Sequence, residues 1–381
     1  MTQARKVRSK IKTPTETSVI HFLPLAAVGG CEVSCLRLIQ GAPDLKHRVV
    51  VFDEPGEMTA RWAAAGIVVE HLGCWRKNPL AFLLQIRRWS KLNAQRSDNV
   101  IFWSTARLAI VLMALYRKGA RWVVYLGNPL TFDRRTQLRY QIYDKFLKKC
   151  DGVTFAACSR YVAETHAAKP FFKFYKTEVI YNPVRMTDRQ LNDFRRLDTE
   201  TPVRLGMVAR LDPIKDHDAV LRAIPRILAR YPNARFEFAG DGSLRSKLIE
   251  LAERIGVNES VRFLGEVSDV EALITEWDVF LYSTTANEGL GSALIEAQAV
   301  ALPCVVSDLP MMREAGGDDG GCVYFRPGDA EDLAATTIAL LASADRRRAL
   351  GACGRARAAQ LFSPAQIARR YLQALRVEAT S

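Results

Sequence analysis

The chain has 381 residues, 49% of them hydrophobic and 25% charged, which supplies a sizeable core and excludes global disorder. Its net charge of +13 is uneven: residues 1–200 carry 33 Lys and Arg against 17 Asp and Glu, net +16, whereas residues 201–381 carry 21 against 24, net −3. No run of about 18 uncharged apolar residues occurs, which excludes a membrane-spanning helix.

At roughly 100–200 residues per domain, this length predicts two domains. The start, MTQARKVRSKIKTPTET, lacks the apolar segment of a signal peptide and is expected to be a disordered basic tail over 1–17. Six short apolar runs follow: SVIHFLPL, HRVVVFDE, NVIFWST, RWVVYLG, GVTFAACS and TEVIYNPV. Each is continuous rather than alternating, which predicts parallel strands buried on both faces. Gly29 and Gly30 follow the first run, where their backbone can approach a ligand or simply make a turn. The G-x-G-x-x-G dinucleotide fingerprint is absent there. The eight cysteines are scattered without a C-x-x-C pair and read as small buried hydrophobes in a reducing compartment. An N-terminal domain over 18–185 and a polar linker over 186–202 are predicted.

The second half alternates six more runs (VRLGMVAR, ARFEFAGD, VRFLGEV, DVFLYSTT, LPCVVSD and CVYFRP) with amphipathic stretches such as DAVLRAIPRILARYP. Strand–helix alternation throughout predicts doubly wound α/β sheets, and twelve strands predict two of them. The second domain is expected over 203–362. Ser363 and Pro364 then open a closing helix over 363–378.

Ligands of such sheets bind beyond the carboxyl ends of the strands. There the second domain places Arg210 and Lys215, five residues apart; they can hold a diphosphate or stand as solvated surface cations. Further on, Glu288 lies in a loop, Gly289 and Gly291 allow close backbone approach, and a helix starts near Ser292 with its N–H groups facing the loop. Glu296 follows on that helix. Two carboxylates beside an anion site make sense as acceptors for ribose and sugar hydroxyls, or as ordinary glutamates of a capped helix. Gly240-Asp241-Gly242 forms a tight turn, a common feature by itself. Asp216 and Asp218 of DHD lie two apart on a helix, do not face each other, and predict no metal site.

Taken together, these features resemble the GT-B glycosyltransferases, specifically family 4 of the retaining, nucleotide-sugar-dependent enzymes. The resemblance covers nearly all of 18–375 and is strongest over 203–330. It rests on GMVARLDPIKD, FAGDGS, VRFLGEV and the Glu-x7-Glu element Glu288–Glu296 inside EGLGSALIEA, followed by Pro303. Upstream, GGCE, KHRVVVF, CSRYV and YNPV match weaker family motifs. The resemblance implies two Rossmann-like domains facing each other across a cleft. It implies that Arg210 and Lys215 neutralise the donor diphosphate. The amides of Gly289, Leu290, Gly291 and Ser292 would hold the distal phosphate and sugar hydroxyls. Glu288 would bind the donor sugar, Glu296 the ribose, and the segment Phe263 to Val267 would flank the base. Gly29 and Gly30 would close over the diphosphate. It further implies retention by front-face attack, with the leaving phosphate taking the acceptor's proton, no metal and no cofactor. Many family members place a histidine against the donor sugar. Here Ser104, Thr105, Gly127 and Asn128 occupy the matching strand exits. Of the five histidines, His47 matches a structural motif, His217 lies in the helix after Lys215, and His71 and His166 carry no motif; His21 ends the first strand and could reach the cleft, but a role there is the minority reading.

The basic first half remains. RKNPLAFLLQIRRWSKLNAQR (76–96) and KPFFKFYK (169–176) mix cations with large apolar groups, which suits an anionic bilayer surface, the alternative being a solvated helix and a packed aromatic cluster. The expected protein is a cytoplasmic enzyme, peripheral on the inner face of the cell membrane, moving a hexose to a lipid-linked or polysaccharide acceptor. Nucleic acid is not an expected partner, since no recognition module is present. The alternatives are a non-hydrolysing sugar-nucleotide epimerase and a catalytically silent transferase partner.

Overall fold

All twelve apolar runs become strands, since residues buried on both sheet faces need no alternation. A thirteenth strand, Val69–His71, has three half-buried residues at a sheet edge and no comparable run. The structure, a computed structural model, describes residues 18–93, 99–117, 119–130, 143–144, 147–148, 150, 152–188 and 202–377. The tail 1–17, residues 94–96 of the first basic segment, residues 189–201 of the expected linker and residue 378 of the closing helix lie outside these.

The first sheet contains β1 (Ser18–Leu23), β2 (Lys46–Val51), β3 (Val69–His71), β4 (Asn99–Phe102), β5 (Arg121–Leu126), β6 (Val153–Ala157) and β7 (Lys176–Val179). Its order is β3-β2-β1-β4-β5-β6-β7, all parallel. The second contains β8 (Val203–Val208), β9 (Ala234–Ala239), β10 (Val261–Gly265), β11 (Val279–Tyr282), β12 (Cys304–Ser307) and β13 (Val323–Phe325). Its order is β10-β9-β8-β11-β12-β13, again all parallel. Each order reverses once, beside β1 and beside β8, and a crevice opens beyond the strand ends at such a point.

The described helices of the first unit are α1 (Gly30–Gln40), α2 (Glu57–Ala64), α3 (Pro79–Leu92), α4 (Leu108–Leu115) and α5 (Arg160–Ala167). Those that follow are α6 (His217–Arg230), α7 (Arg245–Arg254), α8 (Val270–Ile274), α9 (Ser292–Ala299), α10 (Pro310–Gly316), α11 (Ala330–Leu341), α12 (Ala344–Phe362) and α13 (Pro364–Ala374). The closing helix α13 returns to the first sheet. Its Tyr371 ring lies 5.6 Å from Trp103, and Arg121 donates to the Leu375 and Arg376 carbonyls just after it.

Packing decides one open local question and corrects one expectation. His21 does not approach the cleft; it is fully buried in a relay. The Trp103 indole N–H donates to His21 Nδ1 at 3.2 Å, His21 Nε2 stands 3.0 Å from His47 Nδ1, and His47 Nε2 faces the Ala42 carbonyl at 2.9 Å. Indole can only donate, so each ring passes its own N–H onward and both are neutral. Burial lowers the pKa of both rings, in keeping with that arrangement. The aromatics of KPFFKFYK are a core cluster rather than a membrane-facing one. Phe172 is 3% exposed, and Phe171, Phe172 and Tyr175 pack around Phe155 with ring centroids 5.1–6.5 Å away. On α3, by contrast, Phe82 and Ile86 are buried while Leu80, Leu84 and Leu92 are 65%, 57% and 79% exposed. Arg87, Arg88 and Lys91 are exposed as well. The helical repeat puts leucines and cations on one outward stripe.

Candidate active site

A cleft of about 710 Å³ separates the two sheets. Gly29, Gly30 and Arg37 line it from the first; Arg210, Lys215, Val267, Ser292 and Glu296 line it from the second. Gly240 and Asp241 of the tight turn line it too. Gly240 is needed there, because at φ +132° a Cβ would stand 2.1 Å from the Ala209 carbonyl oxygen.

The loop after β8 is shaped by its own polar groups. Asp212 accepts the Ile214 N–H at 3.1 Å and pairs with Arg210 at 2.8 Å. Arg210 is 73% exposed at the mouth of the cleft. Lys215 is turned inward: its ammonium contacts the Glu288 carboxylate and donates to the Tyr282 hydroxyl at 2.6 Å. Tyr282 in turn donates to Glu288 at 3.1 Å, and the Gly289 N–H reaches the other Glu288 oxygen at 3.0 Å. Lys215 and Glu288 side chains are each 13% exposed. Burial pushes the Lys215 ammonium down to about 7, opposed by the Asp212 carboxylate and reinforced by the Arg210 guanidinium. Burial, with the Glu296 and Asp212 carboxylates, raises the Tyr282 hydroxyl above its ordinary range, so it stays a neutral donor. The cluster is a buried cation held by a carboxylate and a phenol at the edge of an open cleft.

Helix α9 begins at the cleft. Gly291 caps it at φ +75°, a conformation suited to glycine, and the first residues of the helix, Ser292 and Ala293, line the cavity. Ser292 and Glu296 lie one turn apart and share its cleft face. Leu290 is 2% exposed, so it can offer only backbone. Of the segment expected to flank a base, Val267 lines the cleft, whereas Phe263 turns away to stack on Phe238 at 5.3 Å.

Several residues that join the halves were not singled out in the sequence. Asn182 of YNPV accepts from the Tyr125 hydroxyl at 2.9 Å and donates to Ser292 Oγ at 3.1 Å. Ser159 donates to the Gly289 carbonyl at 2.7 Å. Glu314 of α10 accepts the Arg160 N–H at 2.7 and 2.8 Å and the Tyr181 hydroxyl at 3.0 Å, capping α5 from across the cleft. Arg37 of α1 pairs with Glu296 at 2.6 Å. Only the two motif positions carried a signal, CSRYV for Ser159 and YNPV for Asn182. At the exits where a histidine is common, Ser104 and Thr105 serve their own surroundings: Ser104 Oγ accepts the Ala106 N–H and the Thr105 carbonyl takes the Tyr143 hydroxyl. Gly127 lies against Gly289, and Asn128 is exposed.

Asp216 and Asp218 have separate partners. Asp216 caps α6 and accepts from Ser283, while Asp218 pairs with Arg222. Among the described residues, no three His, Cys, Asp or Glu side chains gather closely enough to hold a metal ion. The thiols of Cys31 and Cys158, near the junction of the halves, are pushed by burial to about 12 and are not nucleophiles at neutral pH.

Residues 188–357 match the family described as glycosyl transferases group 1, and residues 28–188 match glycosyltransferase family 4. The GDP-mannose-dependent monoacylated alpha-(1-6)-phosphatidylinositol monomannoside mannosyltransferase of Corynebacterium glutamicum is 27% identical over 278 residues, 68% of this chain and 71% of that protein. The lipopolysaccharide core biosynthesis glycosyltransferase LpsE of Rhizobium meliloti is 32% identical over 187 residues, 48% of this chain and 53% of that protein. Several other relatives are matched over about a quarter to two fifths of their own length. Among solved structures, HepE of Anabaena in complex with UDP and glucose superposes with a TM-score of 0.76 at 17% identity, over 94% of this chain and 99% of that one. At that identity the likeness shows the fold: two Rossmann-like domains in the GT-B arrangement.

Proposed function

The chain belongs to the group 1 glycosyltransferases of the GT-B fold, and from that premise we propose that it transfers a hexose, with retention, from a nucleoside-diphosphate sugar to a lipid-linked or polysaccharide acceptor. The observation that carries the reading is the inward-turned Lys215, held against Glu288 and Tyr282 beside the N-terminus of α9. Fixed cations and a helix end stabilise charge that develops on a departing diphosphate. Arg210, exposed at the mouth, meets the diphosphate from the solvent side. Glu296 accepts ribose hydroxyls, and the backbone around Val267 faces the base.

In the proposed step the bond from C1 of the sugar to the diphosphate oxygen breaks, and a bond from C1 to the acceptor oxygen forms. The acceptor's proton passes to the departing phosphate oxygen. Glu288 and Glu296, each held by a cation, are assigned to binding hydroxyls in this step and not to attack on C1. Attack from the face that the phosphate leaves then retains the configuration. The names of two relatives support the acceptor class, one acting on a phosphatidylinositol monomannoside and one in lipopolysaccharide core synthesis.

The test is nucleoside diphosphate release from a panel of nucleotide sugars offered with lipid-linked and glycan acceptors. Release with one donor is expected, an anomeric configuration unchanged by NMR, and full turnover in a chelator. No release above the acceptor-free blank would favour a silent partner of another transferase.

The acceptor is proposed to be met at an anionic membrane surface on the cytoplasmic side, through the outward stripe of α3. Binding to vesicles rich in anionic lipid is expected at low salt, weakening as salt rises. Leu80→Asp and Leu84→Asp should each lower partitioning about 10-fold, as burial of a leucine contributes about 1.5–3 kcal/mol. Equal binding to neutral and anionic vesicles would remove this part of the reading.

A further inference from the structure

We infer that Arg37 is a positioning residue for the donor, acting through Glu296 to couple closure of the two domains to nucleotide binding; the inference rests on the proposal that Glu296 receives the ribose. Arg37 sits in the last turn of α1, in the first domain. Its guanidinium crosses the cleft to Glu296 Oε1 at 2.6 Å. A second nitrogen lies 3.4 Å from the Pro183 carbonyl, in the segment that leads from the first domain toward the second. Three parts of the fold therefore meet at one arginine: α1, the crossing segment and α9.

The pair is set to act on a ligand rather than only to hold the fold. Both side chains line the cleft, at 18% and 22% exposure, so they are shielded but reachable. The contact recorded uses one carboxylate oxygen. A carboxylate has acceptor capacity for further donors, so Glu296 can hold Arg37 and a hydroxyl together. A glutamate side chain loses about 1–2 kcal/mol of rotamer entropy when it is ordered. Arg37 orders it in advance, and a charge-assisted bond of this kind is stronger than a neutral one. Since Arg37 belongs to the opposite domain, this ordering exists only when the domains are together. A donor that prefers the ordered Glu296 must then favour the closed arrangement, by linkage. The other end of the same helix face is tied in the same way, Ser292 through Asn182.

The experiment is a double-mutant cycle on the full chain, reading Kd for UDP and GDP by calorimetry and turnover at saturating donor. Arg37→Ala is expected to weaken the preferred nucleoside diphosphate about 10-fold and to raise donor KM alike, with kcat nearly unchanged. Arg37→Lys should recover part of the loss, since an ammonium makes the contact without the fork. Glu296→Ala should weaken binding at least as much, and the double variant no more than Glu296→Ala alone. Additive losses, a loss in kcat and stability without a change in Kd, or unchanged Kd in Arg37→Ala would each overturn the inference. If Glu296→Ala weakens binding and Arg37→Ala does not, the inference falls and the donor reading stands. If the unaltered protein binds no nucleoside diphosphate, both fall.

Discussion

Lys215→Ala is expected to lower kcat by about 10²–10³-fold, the loss typical of removing one fixed donor to a developing anion. The same substitution should weaken nucleoside diphosphate binding. Lys215 is turned inward and shielded by Glu288 and Tyr282, whereas Arg210 is 73% exposed and screened by water. Lys215→Ala also leaves Glu288 as a buried carboxylate without its cation, which costs about 3–5 kcal/mol in such settings. The double variant Lys215→Met, Glu288→Gln removes both charges and separates the two effects. Its stability should recover while its turnover does not. A pH signature belongs to the same group. Burial holds the free ammonium to about 7, and a bound diphosphate favours its charged form. The bound state therefore holds more protons than the free state. Affinity is fully present below pH 7 and falls as pH rises above it, by up to about tenfold per unit. Calorimetry between pH 7 and 9 reads this directly, and Lys215→Ala should flatten the slope. An affinity unchanged over that range, or turnover unchanged in Lys215→Ala, would remove Lys215 from the site.

Gly289→Ala is the second large effect, and its cause is steric. A Cβ at 289 would stand 2.0 Å from the Gly127 carbonyl oxygen and 3.1 Å from Cys158 Sγ. Gly127 and Cys158 directly follow β5 and β6 of the first domain, and Gly289 lies in the loop before α9 of the second. The nearest obstacle is backbone, so no side chain can rotate away. The Gly289 carbonyl is also held by Ser159 at 2.7 Å. Relief requires the two domains to separate locally by more than an ångström. Misplacement of that size costs about 10²-fold in rate when reacting groups are contributed from two sides. The expected result is kcat/KM lower by about that factor, with the melting temperature lowered as well, because the new methyl meets the fully buried Cys158 and strains the buried Ser159–Gly289 hydrogen bond. Wild-type turnover in Gly289→Ala would mean that transfer does not need the domains this close.

The strands were readable because parallel-sheet burial writes itself into neighbouring residues. Within RWVVYLG and DVFLYSTT, residues 122–126 and 279–282 are continuously apolar and buried, and both strands lie inside their sheets. β3 was not readable, since three half-buried residues at an edge need no apolar run. Lys215, Glu288, Ser292 and Glu296 were readable for a similar local reason: Lys215 follows the strand β8 beside Arg210, and the loop and helix start after β11 carry Glu288, Ser292 and Glu296 at fixed spacing. Tyr282 was not, because an aromatic at the end of a strand looks like core until its hydroxyl is seen between Lys215 and Glu288. Phe263 shows the converse. Its segment is at the site, and its ring is spent on Phe238.

The charge asymmetry divides in the same way. From the sequence, two basic segments with large apolar groups were equivalent. Packing buried the aromatics of one around Phe155 and turned the leucines of the other outward on α3. What the sequence determined by itself was the α/β alternation, the two-sheet count and the short motifs, all of which depend on residues within a turn or a strand of one another. What only the tertiary structure decided was pairing across the cleft: Arg37 with Glu296, Asn182 with Ser292, and Glu314 with the start of α5. Those partners lie a hundred residues or more apart. Which of many charged and polar groups meet at that range is set by the spacing of two folded sheets, and no local pattern encodes it.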